Sequence, residues 1–110
     1  MFDNVFIIAE AGSNHNGDLD TAIGLVQSAA QSGADAIKFQ DFTLETLVCA
    51  AAYQKALGLK NNWQKEIIKN TFKTGWHKII ADAARKAGIR YFSTPFSLEA
   101  VDMLDAFVPF

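Results

Sequence analysis

The chain is poor in several things, and each shortage excludes something. Cys49 is the only cysteine among 110 residues, so no internal disulfide framework is available, and no His or Asp stands near it at a nucleophile-like spacing. It reads as a small apolar residue. Charge of one sign is lacking too: 10 basic residues oppose 12 acidic ones, a net of −2, which points to neither a nucleic-acid partner nor an anionic membrane. No apolar run approaches roughly 18 residues, and the amino terminus lacks a basic stretch followed by a continuous apolar one. Neither secretion nor membrane spanning is indicated, and a cytoplasmic location is the expectation. A glycine-rich phosphate loop is also missing, since residues 11–17 hold only Gly12 and Gly17, which argues against an open doubly wound sheet.

What is present is a repeating alternation of short apolar runs and amphipathic stretches. Half of the residues are apolar, enough for one domain with a modest core. Val5 to Ala9 is rich in β-branched residues and is bounded by Gly and Asn, which predicts a buried strand with Glu10 where it surfaces. Asp18 is a good N-cap for a helix carrying Leu19, Ala22, Ile23, Val26, Ala29 and Ala30 on one face, and Gly33 stops it. Ala34 to Phe39 predicts the second strand. Lys38 and Gln40 then face a cavity from the same side, because strand side chains repeat every second residue.

Residues 41–73 are longer than an ordinary strand-to-helix loop of about 2 to 6 residues and read as an insertion with helices of its own, over Leu44–Leu57 and Trp63–Phe72. Such an excursion forms either a wall over a site or a plain surface flap, with Tyr53 and Gln54 its residues of interest. Thr74 is placed to cap a helix whose buried stripe is Trp76, Ile79, Ile80, Ala83, Ala84 and Ala87, ended by Gly88. Ile89 to Phe92 predicts a third strand running into Ser93, Thr94 and Pro95; Ser97 caps a further helix, and Phe107 to Phe110 resembles the approach to a fourth strand.

Three strand-then-helix units make a parallel α/β protein the expected class, and a barrel segment the preferred form. Each strand delivers polar groups at its carboxyl end: Glu10, then Lys38 with Gln40, then Ser93 with Thr94. Individually each has a plain reading, as a loop cap, a snorkelling lysine or a turn before Pro95. Together they suit an anionic, oxygen-rich ligand. Lys38 offers a charge for phosphate or carboxylate, Ser93 and Thr94 offer hydroxyl donors, Gln40 can read an amide or hydroxyl, and Glu10 is free to serve as a base or to stabilise positive charge. His15, between two asparagines, reads as a loop hydrogen-bonding residue, and neither it nor His77 has a partner at metal-ligand spacing.

Ile8-Ala9-Glu10 with Asn14-His15-Asn16-Gly17-Asp18, Gly33 to Gln40, and Phe92-Ser93-Thr94-Pro95-Phe96 together resemble the amino-terminal part of the N-acetylneuraminate (sialic acid) synthase family, which includes pseudaminic and legionaminic acid synthases and related spore-coat polysaccharide enzymes. The resemblance implies a partial TIM barrel, with residues 1–110 supplying about the first three βα units of a parallel (β/α)8 barrel. It implies condensation of phosphoenolpyruvate with an N-acetylated aldose such as N-acetylmannosamine, releasing phosphate, in a homodimeric enzyme that uses a divalent metal, Mn or Mg, as a Lewis acid. On these motifs Glu10 corresponds to the catalytic carboxylate, Lys38 and Thr94 to phosphoenolpyruvate contacts and Gln40 to a sugar contact, while Ser93, Asn14 and His15 take supporting roles. Asp41 departs from the pattern, standing where many members have threonine. The family's metal-binding histidines belong to later strands, so the chain alone is expected to lack the metal ligands and to be inactive; a barrel needs about 250 residues. The alternatives are a non-catalytic association module that pairs through sheet edges, or another phosphoenolpyruvate-using barrel that makes 3-deoxy-ketoacids.

Overall fold

The computed structural model describes residues 4–60 and 62–108. Its order is β1 (Ile8–Gly12), α1 (Leu19–Gln31), β2 (Ala36–Asp41), α2 (Leu44–Leu47), α3 (Ala50–Leu57), α4 (Trp63–Lys69), α5 (Trp76–Ala87), β3 (Arg90–Pro95) and α6 (Leu98–Leu104). The strands form one parallel sheet in the order β1-β2-β3. Ala22, Val26 and Ala29 of α1 and Trp76, Ile80 and Ala84 of α5 share a single buried cluster with Ile37, Phe39 and Tyr91. Both crossover helices therefore cover the same face of the sheet. Strands added in sequence order with helices on one side give the winding of a barrel, whereas a doubly wound sheet reverses its order and places helices on both faces.

Local chemistry explains the helix ends. The Asp18 carboxylate accepts the Thr21 N–H at 2.9 Å and starts α1; Ser97 accepts the Ala100 N–H at 3.1 Å and starts α6. Gly88 takes a left-handed conformation (φ 80°) to end α5, and Gly33 does the same (φ 83°) just after α1. Thr74 is not the cap of α5: Gly75 occupies that position without a side-chain bond, and Thr74 contributes only its carbonyl, to the His77 N–H at 3.4 Å.

Other boundaries differ from those the residue pattern predicts. The first strand is not a buried Val5–Ala9 segment; Val5 is 71% and Ile7 54% exposed, and pairing runs from Ile8 to Gly12. The cause is topological: β1 lies at an edge of the described sheet, so its apolar run lacks the second neighbour and second layer that an interior strand would have. The third strand extends through Ser93, Thr94 and Pro95 rather than ending at Phe92. The helical stretch predicted over Leu44–Leu57 is broken at Val48–Cys49, and Cys49 is exposed. Phe107 and Val108 continue in turns whose N–H groups reach Leu104 O at 2.8 and 3.0 Å, and the rest of the predicted fourth-strand approach, Pro109 and Phe110, lies outside the described residues. Among the described residues, no helix is long and apolar enough to cross a membrane.

Candidate active site

Parallel pairing sets side chains of registered residues on one face. Glu10 is paired with Lys38, Lys38 with Phe92, and Gln40 with Thr94. These five residues lie on the sheet face opposite the helices, because the intervening Phe39 and Tyr91 point into the helical core. Lys38 Nζ lies 2.9 Å from Glu10 Oε2, and the two side chains are 37% and 47% exposed. A pair this open to water contributes at most about 1 kcal/mol to stability, so its polarity is not needed to hold the fold. An ammonium has three donors, and one bond to Glu10 leaves others available to an incoming anion.

Gly12 shapes the space between these groups. Pairing shifts at a bulge between Glu10 and Gly12, and Gly12 adopts φ 57°. A Cβ there would stand 3.4 Å from Glu10 Oε1 and 3.6 Å from Gln40 Nε2, so the carboxylate and the amide converge on the space that glycine leaves open. In the residue pattern Gly12 is turn punctuation, and its one further signal is its place two residues after a strand-end carboxylate. Below the charged pair, Phe6 meets the ring of Phe92 edge-on at 6.5 Å, and the Arg90 guanidinium lies 5.4 Å from the Phe6 centroid. That face therefore carries an aromatic pair with the Arg90 cation toward the strand starts, and the acid, amine, amide and hydroxyl toward their carboxyl ends.

Three other predicted residues fall elsewhere. Ser93 is registered with Phe39 and follows Tyr91 by two, so it lies on the helix side rather than with Thr94. Asn14 is exposed in the turn after β1, where its N–H reaches Ala11 O at 3.0 Å. His15 is fully buried behind the sheet among Phe39, Phe72 and Trp76, with ring centroids 6.3, 5.8 and 5.3 Å away. Its Nδ1 accepts the Gly17 N–H at 3.0 Å, and burial lowers its pKa. Tyr53 meets Trp63 at a tilt, with ring centroids 5.1 Å apart, within the insertion, and both Tyr53 and Gln54 are exposed.

One buried network was not legible at all. His77 Nε2 lies 3.0 Å from Asp41 Oδ2, and its Nδ1 lies 2.6 Å from the Tyr91 hydroxyl. A carboxylate can only accept, so Nε2 carries a proton. Burial, with a smaller contribution from the Asp41 charge, pushes the Tyr91 phenol well above its usual range and keeps its O–H. The three residues come from β2, α5 and β3, and spacing in the chain gives no hint that they meet.

The described residues contain no group of three His, Cys, Asp or Glu side chains able to hold a metal by themselves, and both nitrogens of His77 and Nδ1 of His15 have protein partners.

The NeuB family profile matches residues 25–110. The chain belongs to the NeuB family. Among similar proteins, N,N'-diacetyllegionaminic acid synthase of Legionella pneumophila is 43% identical over 104 residues, covering 90% of this chain and 29% of the relative. Pseudaminic acid synthase of Campylobacter jejuni is 34% identical over 110 residues, covering 96% of this chain and 32% of the relative. The crystal structure of N-acetylneuraminic acid synthetase from Leptospira borgpetersenii superposes with a TM-score of 0.76 at 30% identity, covering 96% of this chain and 34% of that one. This NeuB-family chain thus spans about a third of the length of the proteins it matches, and its singly wound sheet is a partial α/β barrel.

Proposed function

We propose that this chain is the amino-terminal part of the barrel of a nonulosonic acid synthase, which joins phosphoenolpyruvate to an N-acetylated aldose of the N-acetylmannosamine type. The observation that carries the reading is the convergence of Glu10, Lys38, Gln40 and Thr94 on one sheet face, with Glu10 and Lys38 2.9 Å apart. The whole enzyme would be a cytoplasmic homodimer, and its divalent metal would be held by residues outside those described.

In the reaction, C3 of the enol forms a bond to the aldehyde carbon of the open-chain sugar, water adds at C2, and phosphate leaves. Lys38 holds an anionic group of phosphoenolpyruvate, and the Thr94 hydroxyl donates to an oxygen of the same molecule. Gln40, one register step beyond Lys38, presents both an N–H donor and a carbonyl acceptor, the pair an acylamino group requires. Glu10 stands beside the reacting carbons, where a carboxylate stabilises positive charge developing at C2. Binding of the anion draws Lys38 away from Glu10 and leaves that carboxylate free to act. Ser93, Asn14 and His15 act in support, Ser93 and His15 from the helix side and Asn14 from the first loop.

Two measurements test this reading. Saturation-transfer NMR on the 110-residue chain is expected to detect phosphoenolpyruvate, and Lys38→Met to abolish the signal; equal signals from both proteins would overturn the site assignment. Incubation with phosphoenolpyruvate, manganese and N-acetylmannosamine is expected to release no phosphate from this chain alone, and steady turnover would overturn that part.

A further inference from the structure

We propose that Asp41 is a positioning residue for Gln40, held in place by His77 and through it by Tyr91, so that this buried relay sets the grip on the sugar. The inference rests on the functional reading above for the identity of the ligand, and on the geometry alone for the positioning.

Gln40 and Asp41 are the last two residues of β2 and alternate between faces. Gln40 projects onto the polar face. Asp41 projects into the helix side, where Oδ2 meets His77 Nε2 at 3.0 Å. The imidazole is fully buried, with its ring 4.5 Å from that of Phe72 and stacked at 6.0 Å on Phe107. Its other nitrogen meets the Tyr91 hydroxyl at 2.6 Å, and Tyr91 is itself buried in β3. The end of β2 is therefore tied to the start of α5 and to the neighbouring strand by side chains that cannot turn without breaking a buried hydrogen bond. The Asp41 side chain is 12% exposed, so water offers its carboxylate little replacement for His77.

The consequence for Gln40 is mechanical. The chain leaves β2 into Phe42, buried against Phe96, and Thr43, the cap of α2, so the Asp41 side chain is the last tie of the strand itself to the helix side. Fixing the side chain of residue 41 on one face fixes the peptide plane before it, and with it the direction in which the residue 40 amide is aimed. Lys38, two residues deeper and paired on both sides with β1 and β3, does not depend on that anchor. Loss of the anchor should therefore affect the sugar contact and spare the phosphoenolpyruvate contacts at Lys38 and Thr94.

The test is 15N relaxation on the 110-residue chain, with parallel titrations of N-acetylmannosamine and phosphoenolpyruvate. In the unsubstituted chain the backbone amides of Gln40 and Asp41, on either side of the Gln40 Cα, should be as ordered as that of Phe39, with an order parameter of about 0.85, and in Asp41→Ala both should fall below about 0.6 while Lys38 and Thr94 are unchanged. Asp41→Asn, which keeps an acceptor for His77 Nε2–H, should restore order. N-acetylmannosamine should bind about tenfold more weakly to Asp41→Ala, with phosphoenolpyruvate affinity within about twofold; each tenfold step is a 1.4 kcal/mol change. A mobile Gln40 in the unsubstituted chain overturns the proposal without any variant, which covers the case that Asp41→Ala fails to fold. Equal losses for both ligands, or an unchanged Gln40 in Asp41→Ala, overturn it as well. If neither ligand binds the unsubstituted chain, the functional reading fails, and the relaxation data still decide the positioning claim.

Discussion

Lys38 and Glu10 meet at 2.9 Å from adjacent strands, yet both remain open enough to water that their attraction does little for the fold. Lys38→Met is therefore expected to move the melting temperature by no more than about 1 kcal/mol of stability allows, a few degrees, while removing the affinity for phosphoenolpyruvate. A large loss of stability with affinity retained would show the pair to be structural. Gly12 carries a different constraint. Its φ of 57° is costly for any side chain, and an added Cβ would fill the gap between Glu10 and Gln40. Gly12→Ala should cost about 1–2 kcal/mol in urea unfolding and weaken ligand binding beyond that; a neutral substitution would show that the bulge relaxes freely.

At the scale of the element, the loop from β1 to α1 is held from within. His15 accepts the Gly17 N–H, and Gly17 is pressed against α4: a Cβ there would collide with the backbone carbonyl of Lys69. Burial lowers the His15 pKa below its ordinary value of 6.5, so at lower pH the unfolded chain binds a proton that the folded chain resists. The stability this residue contributes is complete above about pH 6.5 and declines as pH falls below it. Urea midpoints followed from above pH 7 down to about pH 5 should fall, and His15→Gln should flatten that part of the decline; an identical profile in the variant would contradict the assignment. Asp18 starts the helix that follows, and Asp18→Ala is expected to lower the urea midpoint in the same denaturation curves, because the Thr21 N–H loses its acceptor.

The elements differ in how far the residue pattern could disclose them. The apolar stripe of α1 with its Asp18 cap, and the end of α5 at Gly88, are local facts with local causes, and both are legible. So is the shared face of Lys38 and Gln40, which follows from strand alternation. The exposure of Val5 to Ile8 is not, because it depends on what lies beside β1, and an apolar run reads the same at an edge as in a sheet interior. Nor is the separation of Ser93 from Thr94, which required knowing that β3 continues through both. The Asp41–His77–Tyr91 relay was hidden for a stronger reason: Asp41 and His77 are 36 positions apart, and no periodicity links residues from three different elements.

For the molecule as a whole, one sheet face is covered by α1 and α5, while the other carries the polar site and, together with the edge at β1, leaves Val5, Phe6, Ile7 and Ile8 exposed. An apolar edge of this kind is a template for pairing with another chain. The 110-residue chain is expected to elute larger at higher concentration, and Ile7→Lys to reduce that shift; a concentration-independent monomer would contradict the edge-pairing expectation. A single sheet face gathers an acid, an amine, an amide and a hydroxyl, and the proposed function requires phosphoenolpyruvate to bind there. Residue-by-residue NMR shifts during a phosphoenolpyruvate titration test it most directly. The largest changes are expected on Glu10, Lys38, Gln40 and Thr94 and should vanish in Lys38→Met. Changes centred on the helix side, around Ser93 and His15, or a map unaltered by Lys38→Met, would contradict it.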